Sequence, residues 1–173
     1  MSVRAPRHLF LVGFMGAGKS TVAALIADRA GHELLDVDAR IEERTGRSIV
    51  AWLSAETEAE FRACETDVLS ELGKTRKVVA VGGGAFVSAR NRALMRRDGV
   101  TVWLDAPLAE LKERTHEGAG RPLWRDEDPI RFRAFFERRR ALYALADIRV
   151  DTSQKSPENV SVEVYERFDG FFN

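Results

Sequence analysis

The run Gly13-Phe-Met-Gly-Ala-Gly18-Lys19-Ser20, set directly behind the apolar stretch His8-Leu-Phe-Leu-Val12, constrains this chain more than any other feature. It matches G-x-x-x-x-G-K-[ST], a pattern that has meaning only between a strand and a helix. Both flanks are predicted. His8 to Val12 reads as a short buried strand, and Val22, Leu25, Ile26 and Ala30 recur at helical spacing. Glycines let successive N–H groups turn inward around phosphate oxygens, where a β-carbon would obstruct them. The helix that starts there adds its positive end. Gly16, Ala17, Gly18, Lys19, Ser20 and Thr21 are therefore the first candidate nucleotide-binding residues. Lys19 would bring a full charge to the β- and γ-phosphates, and the Ser20 hydroxyl is a candidate ligand of Mg2+.

The rest of the chain alternates in the same way. Further strands are predicted at Leu34-Leu35 running into Asp36-Val-Asp38, at Lys77 to Val81, at Val100 to Leu104 and at Ile148 to Val150. Helices are expected from Ala39 to Glu43, from Ser48 as cap through Leu53, and from Thr57, which with Glu60 has the form of a capping box. The last of these would bury Phe61, Val68, Leu69 and Leu72. Later helices are expected from Ala106 to about Thr115, from Pro129 to Leu145 and from Pro157 to Phe168. Such alternation means an α/β fold with a parallel sheet covered by helices on both faces. Ligands then sit beyond the carboxyl ends of the strands.

At 173 residues a single domain, residues 1–173, is expected. Lysine plus arginine and aspartate plus glutamate number 27 each, so no net field would draw the chain to nucleic acid. No apolar stretch is long enough to span a bilayer. Cys64 is the single cysteine and reads as a small core filler. With no signal-peptide pattern, a reducing cytoplasm is expected.

A phosphate loop implies a nucleotide, not a second substrate. Asp36 and Asp38, two apart at a strand end, would point to the same side of it. One would support Mg2+, and the other would hold or deprotonate an attacking hydroxyl. Arg62, braced by Glu65 three residues on, offers a fork for a carboxylate. Gly82, Gly83 and Gly84, at the end of the third strand, suit close approach of backbone to a ligand. The polar segment of about 116–129 reads as a lid that excludes water. Arg121 within it is the candidate for the transferring phosphate, and Arg139, in the helix beyond, for reaching the site from the far side.

Together these residues resemble one family, the shikimate kinases, within the nucleoside-monophosphate-kinase-like group of phosphate-loop folds. The blocks that carry the resemblance run in order from Leu9 to about Val160. They are the glycine-rich loop, Asp36-Val-Asp38 with Ile41-Glu42, Thr45-Gly-Arg-Ser-Ile49, Phe61-Arg62 with Glu65, Gly82-Gly-Gly-Ala85, Arg121-Pro-Leu123, and Arg139 four residues before Tyr143. The resemblance implies a five-stranded parallel sheet in the order 2-3-1-4-5, an acceptor-binding region at about 37–65 and a lid. It implies transfer of the ATP γ-phosphate to the 3-hydroxyl of shikimate, with Mg2+, on the route to chorismate. Asp38 would hold the ring hydroxyls and serve as or assist the base. Arg62 and Arg139 would bind the carboxylate, and Gly82 to Gly84 would line the ring. Asp36 would support Mg2+ with Ser20, Arg121 would reach the ATP phosphates, and Arg114 and Pro157 would contact adenine.

The chain departs from the family pattern at Thr57 (usually glycine), at Leu53, beside Trp52 (often phenylalanine), and at Ala141 (usually proline), the last leaving the helix around Arg139 less interrupted. A monomer is expected. Two other readings are a kinase of another acceptor, such as gluconate or a nucleotide, and a nucleotide-dependent binding module.

Overall fold

The computed structural model describes residues 8–52, 57–116 and 128–168. Strand β1 (His8–Val12) is buried at every position, as befits a central parallel strand with helices on both faces. It lies between β3 (Lys77–Ala80) and β4 (Gly99–Asp105). Strand β2 (Glu33–Asp36) pairs with β3, and β5 (Ile148–Asp151) with β4. All four pairings are parallel, and the sheet order is β2-β3-β1-β4-β5, as the resemblance implied.

The register aligns Leu11, Ala80 and Asp36 side by side. The chain leaves β1, β2 and β3 at one level, and the Val81 N–H extends the ladder to Leu11 O at 3.0 Å. The glycine-rich loop, Asp36-Val-Asp38 and Gly82 to Gly84 therefore leave the sheet at the same edge.

Helix α1 (Lys19–Ala30) follows Gly18, which is left-handed at φ 83°, and ends at Gly31, also left-handed. Its buried stripe is Val22, Ala23, Ile26 and Ala27, turned slightly from the expected one because Leu25 and Ala30 are only half-buried. It packs against α8 (Pro157–Arg167) and against β1, β2 and β3.

Two local expectations are corrected. The second strand stops at Asp36, and α2 (Val37–Thr45) starts at once. Asp36 is its N-cap, accepting from Asp38 N at 3.0 Å and Ala39 N at 3.2 Å. A capping aspartate satisfies donors that a strand could not, so Asp38 lies in the first helical turn. The second correction concerns Thr57. It precedes α4 (Glu58–Ser70), but its side chain makes no capping bond. The hydroxyl instead donates to Trp52 O at 3.0 Å, tying α4 to the short α3 (Ile49–Trp52).

Helix α5 (Ala89–Asp98) was not anticipated. Its segment ARNRALMRRD carries four arginines and few apolar residues, so its periodicity is faint. Ser88 caps it, accepting from Asn91 N. Helix α5 packs on α4, β1 and β4. Helix α6 spans Leu108–His116 and α7 spans Pro129–Tyr143 without interruption, in keeping with alanine at position 141. Asp128 caps α7 by accepting from Arg131 N at 3.0 Å. Leu53 and most of the expected lid, Arg121 included, lie outside the described residues. Cys64 is half-buried against the core with a free thiol. No helix among the described residues is long and apolar enough to cross a membrane.

Candidate active site

Two cavities that share the phosphate loop open at the carboxyl edge of the sheet. The first, of about 470 Å3, is lined by Gly16 to Val22 on one side and by Arg114, Thr115, Thr152, Lys155, Pro157 and Val160 on the other. Gly16 is left-handed at φ 81°, and a β-carbon there would come within 2.8 Å of Leu111 O, so both conformation and space demand glycine. Lys19 Nζ donates to Phe14 O at 2.9 Å, closing the loop on itself. Arg114 is held at the far wall by Thr152 O at 2.7 Å, Thr152 Oγ1 at 3.1 Å and Glu110 at 2.9 Å. Thr152 and Lys155 escaped the sequence reading. Their signal was position, since both follow β5 at the ligand-bearing edge.

The second cavity, of about 330 Å3, shares Lys19 and Ser20 with the first. It gathers Asp36, Asp38, Arg62, Glu65, Gly82, Gly83, Gly84 and Arg139, with Met15, Ile49 and Phe61 among its apolar walls. Asp36 uses one carboxylate oxygen to cap α2 and the other to accept from Ser20 Oγ at 2.5 Å. The cap therefore fixes a carboxylate against the phosphate loop. A β-carbon at Gly82 would lie 2.5 Å from Asp38 Oδ1 and 3.1 Å from Glu65 Oε1. Backbone thus passes directly against two acids, which explains the missing side chain there.

Glu65 occupies a core position of α4, one turn from Phe61 and one from Val68 and Leu69, and is 1% exposed. Burial pushes its carboxyl up to about 7; Arg62 pulls it back, while Asp38 pushes it further up. Arg62 Nη1 donates to Glu65 at 2.8 Å, and Nη2 to Glu58 at 3.2 Å. Burial works against the Arg62 charge, but the two glutamates outweigh it and raise its pKa. The expected brace is present, though with a buried acid and not a surface one.

Arg139 differs from Arg62. It makes no ion pair among the described residues, and burial lowers its pKa. Its support is the Tyr143 hydroxyl, which donates in turn to Gly83 O. Burial pushes Tyr143 up to about 12, so it stays protonated and keeps that donor. Arginine also stands at 131, 133, 138 and 140; Arg131, Arg133 and Arg138 are exposed, and Arg140 pairs with Asp105 at 3.2 Å. Of these α7 arginines, Arg139 alone lines this cavity.

A nucleotide cavity and a charged acceptor cavity that meet at one lysine and one serine define an ATP-dependent kinase of a small molecule. The shikimate kinase family model matches residues 15–169. A shikimate kinase of Halorhodospira halophila is 42% identical over 170 residues, covering 96% of either chain. That of Persephonella marina is 37% identical, covering 93% of this chain and 98% of its own. The structure of shikimate kinase from Acinetobacter baumannii in complex with shikimate superposes with a TM-score of 0.86 at 34% identity, over 95% of this chain and 94% of that one. The chain belongs to the shikimate kinase family.

Proposed function

We propose that this chain transfers the γ-phosphoryl group of ATP to the 3-hydroxyl of shikimate, giving shikimate 3-phosphate and ADP. The observation that carries the reading is the junction of the cavities: Lys19 and Ser20 line both, so a γ-phosphate held by the loop would face whatever fills the acceptor side. Catalysis is then mostly positioning and charge neutralisation. Arg62 and Arg139 bind the acceptor carboxylate, and Gly82 to Gly84 let the ring approach the backbone. Asp38 orients the attacking hydroxyl and takes its proton. Lys19 neutralises the phosphates, joined by Arg121 from the lid at 116–129. Arg114 and Pro157 flank adenine.

The residues present fit a hard divalent cation. Ser20 Oγ and Asp36 Oδ2 are oxygen donors 2.5 Å apart beside the loop, the donor type that Mg2+ selects. When bound there, directly or through water to Asp36, Mg2+ supplies further neutralisation of phosphate charge. Both cavities are built by one chain, which supports a single-domain monomer, and the free thiol of Cys64 suits a reducing cytoplasm.

The test is ADP release with Mg-ATP, comparing shikimate, gluconate, AMP and no acceptor. Stimulation by shikimate alone is expected. Stimulation by a different acceptor would keep the kinase and discard the roles given to Asp38, Arg62 and Arg139. No stimulation by any would leave a nucleotide-dependent binding module.

A further inference from the structure

Phe14, inside the phosphate loop, is 2% exposed. Its ring meets three phenylalanines of α7 edge to face: Phe132 at 6.1 Å, Phe135 at 5.9 Å and Phe136 at 5.1 Å between centroids. Edge-to-face pairs at these distances have a preferred geometry, unlike aliphatic contacts. One member of the group does something more. Phe135 presents its ring to the Arg139 guanidinium one helical turn later, with the Arg139 Cζ 4.3 Å from the ring centre.

That contact matters because of what Arg139 lacks. It has no ion pair among the described residues, and burial disfavours its charge. The Tyr143 hydroxyl holds one edge, and the Phe135 ring covers a face. A guanidinium so placed keeps its remaining donors for the acceptor cavity that it lines. The Phe135 ring is thus shared, with Arg139 at its face and the loop residue Phe14 against it. Phe14 also carries the carbonyl that accepts from Lys19 Nζ at 2.9 Å. A nucleotide that draws Lys19 to its phosphates would release the Phe14 carbonyl, and the Phe14 ring touches Phe135 as well as the nearer Phe136.

We infer that Phe135 is a positioning residue for phosphoryl transfer, seating Arg139 by ring-face contact and linking it through Phe14 to the phosphate loop, so that nucleotide and acceptor bind cooperatively. The inference rests on the acceptor role proposed for Arg139. Coupling of this kind is reciprocal, so it is measurable from either ligand.

The experiment is calorimetric titration of shikimate into the full chain with and without saturating ADP, and of ADP alone. For the unmodified chain, ADP tightens shikimate binding, by about fivefold at the low end of ordinary coupling. Phe135→Leu weakens shikimate binding about five- to thirtyfold, the range of a desolvated cation–π contact. It also abolishes the effect of ADP and leaves ADP affinity alone unchanged. Phe135→Tyr, which keeps the ring face, restores both. Phe14→Leu separates the two links: shikimate affinity without nucleotide stays near that of the unmodified chain, while the ADP effect is lost. Unaltered shikimate affinity and coupling in Phe135→Leu would overturn the inference, as would a parallel loss of ADP affinity, which would make the ring a support of the loop's fold. Absence of shikimate binding by the unmodified chain would instead remove the acceptor reading, and this inference with it.

Discussion

The nucleotide cavity takes Gly16 to Val22 from one continuous stretch of chain, whereas the acceptor cavity collects Asp36, Asp38, Arg62, Glu65 and Arg139 from β2, α2, α4 and α7. On the proposed function the first surrounds phosphate with backbone N–H groups and a helix terminus, which carry only partial charge and do not titrate, together with the cationic side chains of Lys19, Arg114 and Lys155. The second works through full charges taken partly out of water, each needing a partner. Glu65 and Arg62 form a pair, and Arg139 has an aromatic face, a phenol and the attraction of Glu65 without an ion pair of its own among the described residues. The acceptor side therefore stores the electrostatic strain, and it should answer to pH and to single charge changes where the nucleotide side answers to shape.

The sharpest way to break this contrast is Asp38→Asn. Turnover with shikimate should fall on the order of a thousandfold, the middle of the range for a positioned general base, while ADP affinity by calorimetry stays within about twofold because nothing in the loop is altered. Turnover within a few fold of the unmodified chain would take Asp38 away from the reacting atoms.

Glu65→Gln tests the pH side. The folded carboxyl titrates near 7 and the unfolded one near 4.5, so between those values the folded state holds the extra proton. Glu65 thus makes stability fall as pH rises from about 4.5 to about 7, with no further change above. A difference of that size corresponds to about 3 kcal/mol. Urea unfolding as a function of pH should show that decline in the unmodified chain and its absence in Glu65→Gln. A decline that survives the substitution would assign it to other groups.

Two glycines contrast shape with charge directly. Gly16→Ala places a side chain at φ 81° and against Leu111 O, which should weaken ADP binding by about 2 kcal/mol, or roughly thirtyfold. Gly84, by contrast, has φ −89° and no conformational need for glycine. Its β-carbon would run into the Arg62 guanidinium. Gly84→Ala should raise KM for shikimate about tenfold, since Arg62 is displaced from its fork geometry, and leave ADP affinity unchanged. If Gly84→Ala harmed both ligands equally, the two cavities would not be separable in this way.

The parts built from neighbours along the chain are legible in the residues alone. The glycine-rich loop between a strand and a helix, the alternation of strands and helices, and the edge of the sheet where ligands bind follow from backbone chemistry and short-range periodicity. The ordered blocks of the family resemblance led to the strand order and to the residues of the acceptor cavity. Other features depend on contacts between distant segments. Asp36-Val-Asp38 follows an apolar pair and so reads as a strand end, but capping by Asp36 starts a helix there, a choice made by hydrogen bonds that periodicity does not register. Thr57 has the spacing of a capping box, yet its hydroxyl bonds to Trp52 O, a partner brought near by the packing of α3 on α4. Helix α5 lacks an apolar stripe and is held by its neighbours α4, β1 and β4. Glu65 could be seen as a brace for Arg62, but not as a buried acid with a pKa near 7. Desolvation depends on what surrounds a group in three dimensions, and Asp38, Gly82 and Arg139 arrive beside it only when the sheet is assembled.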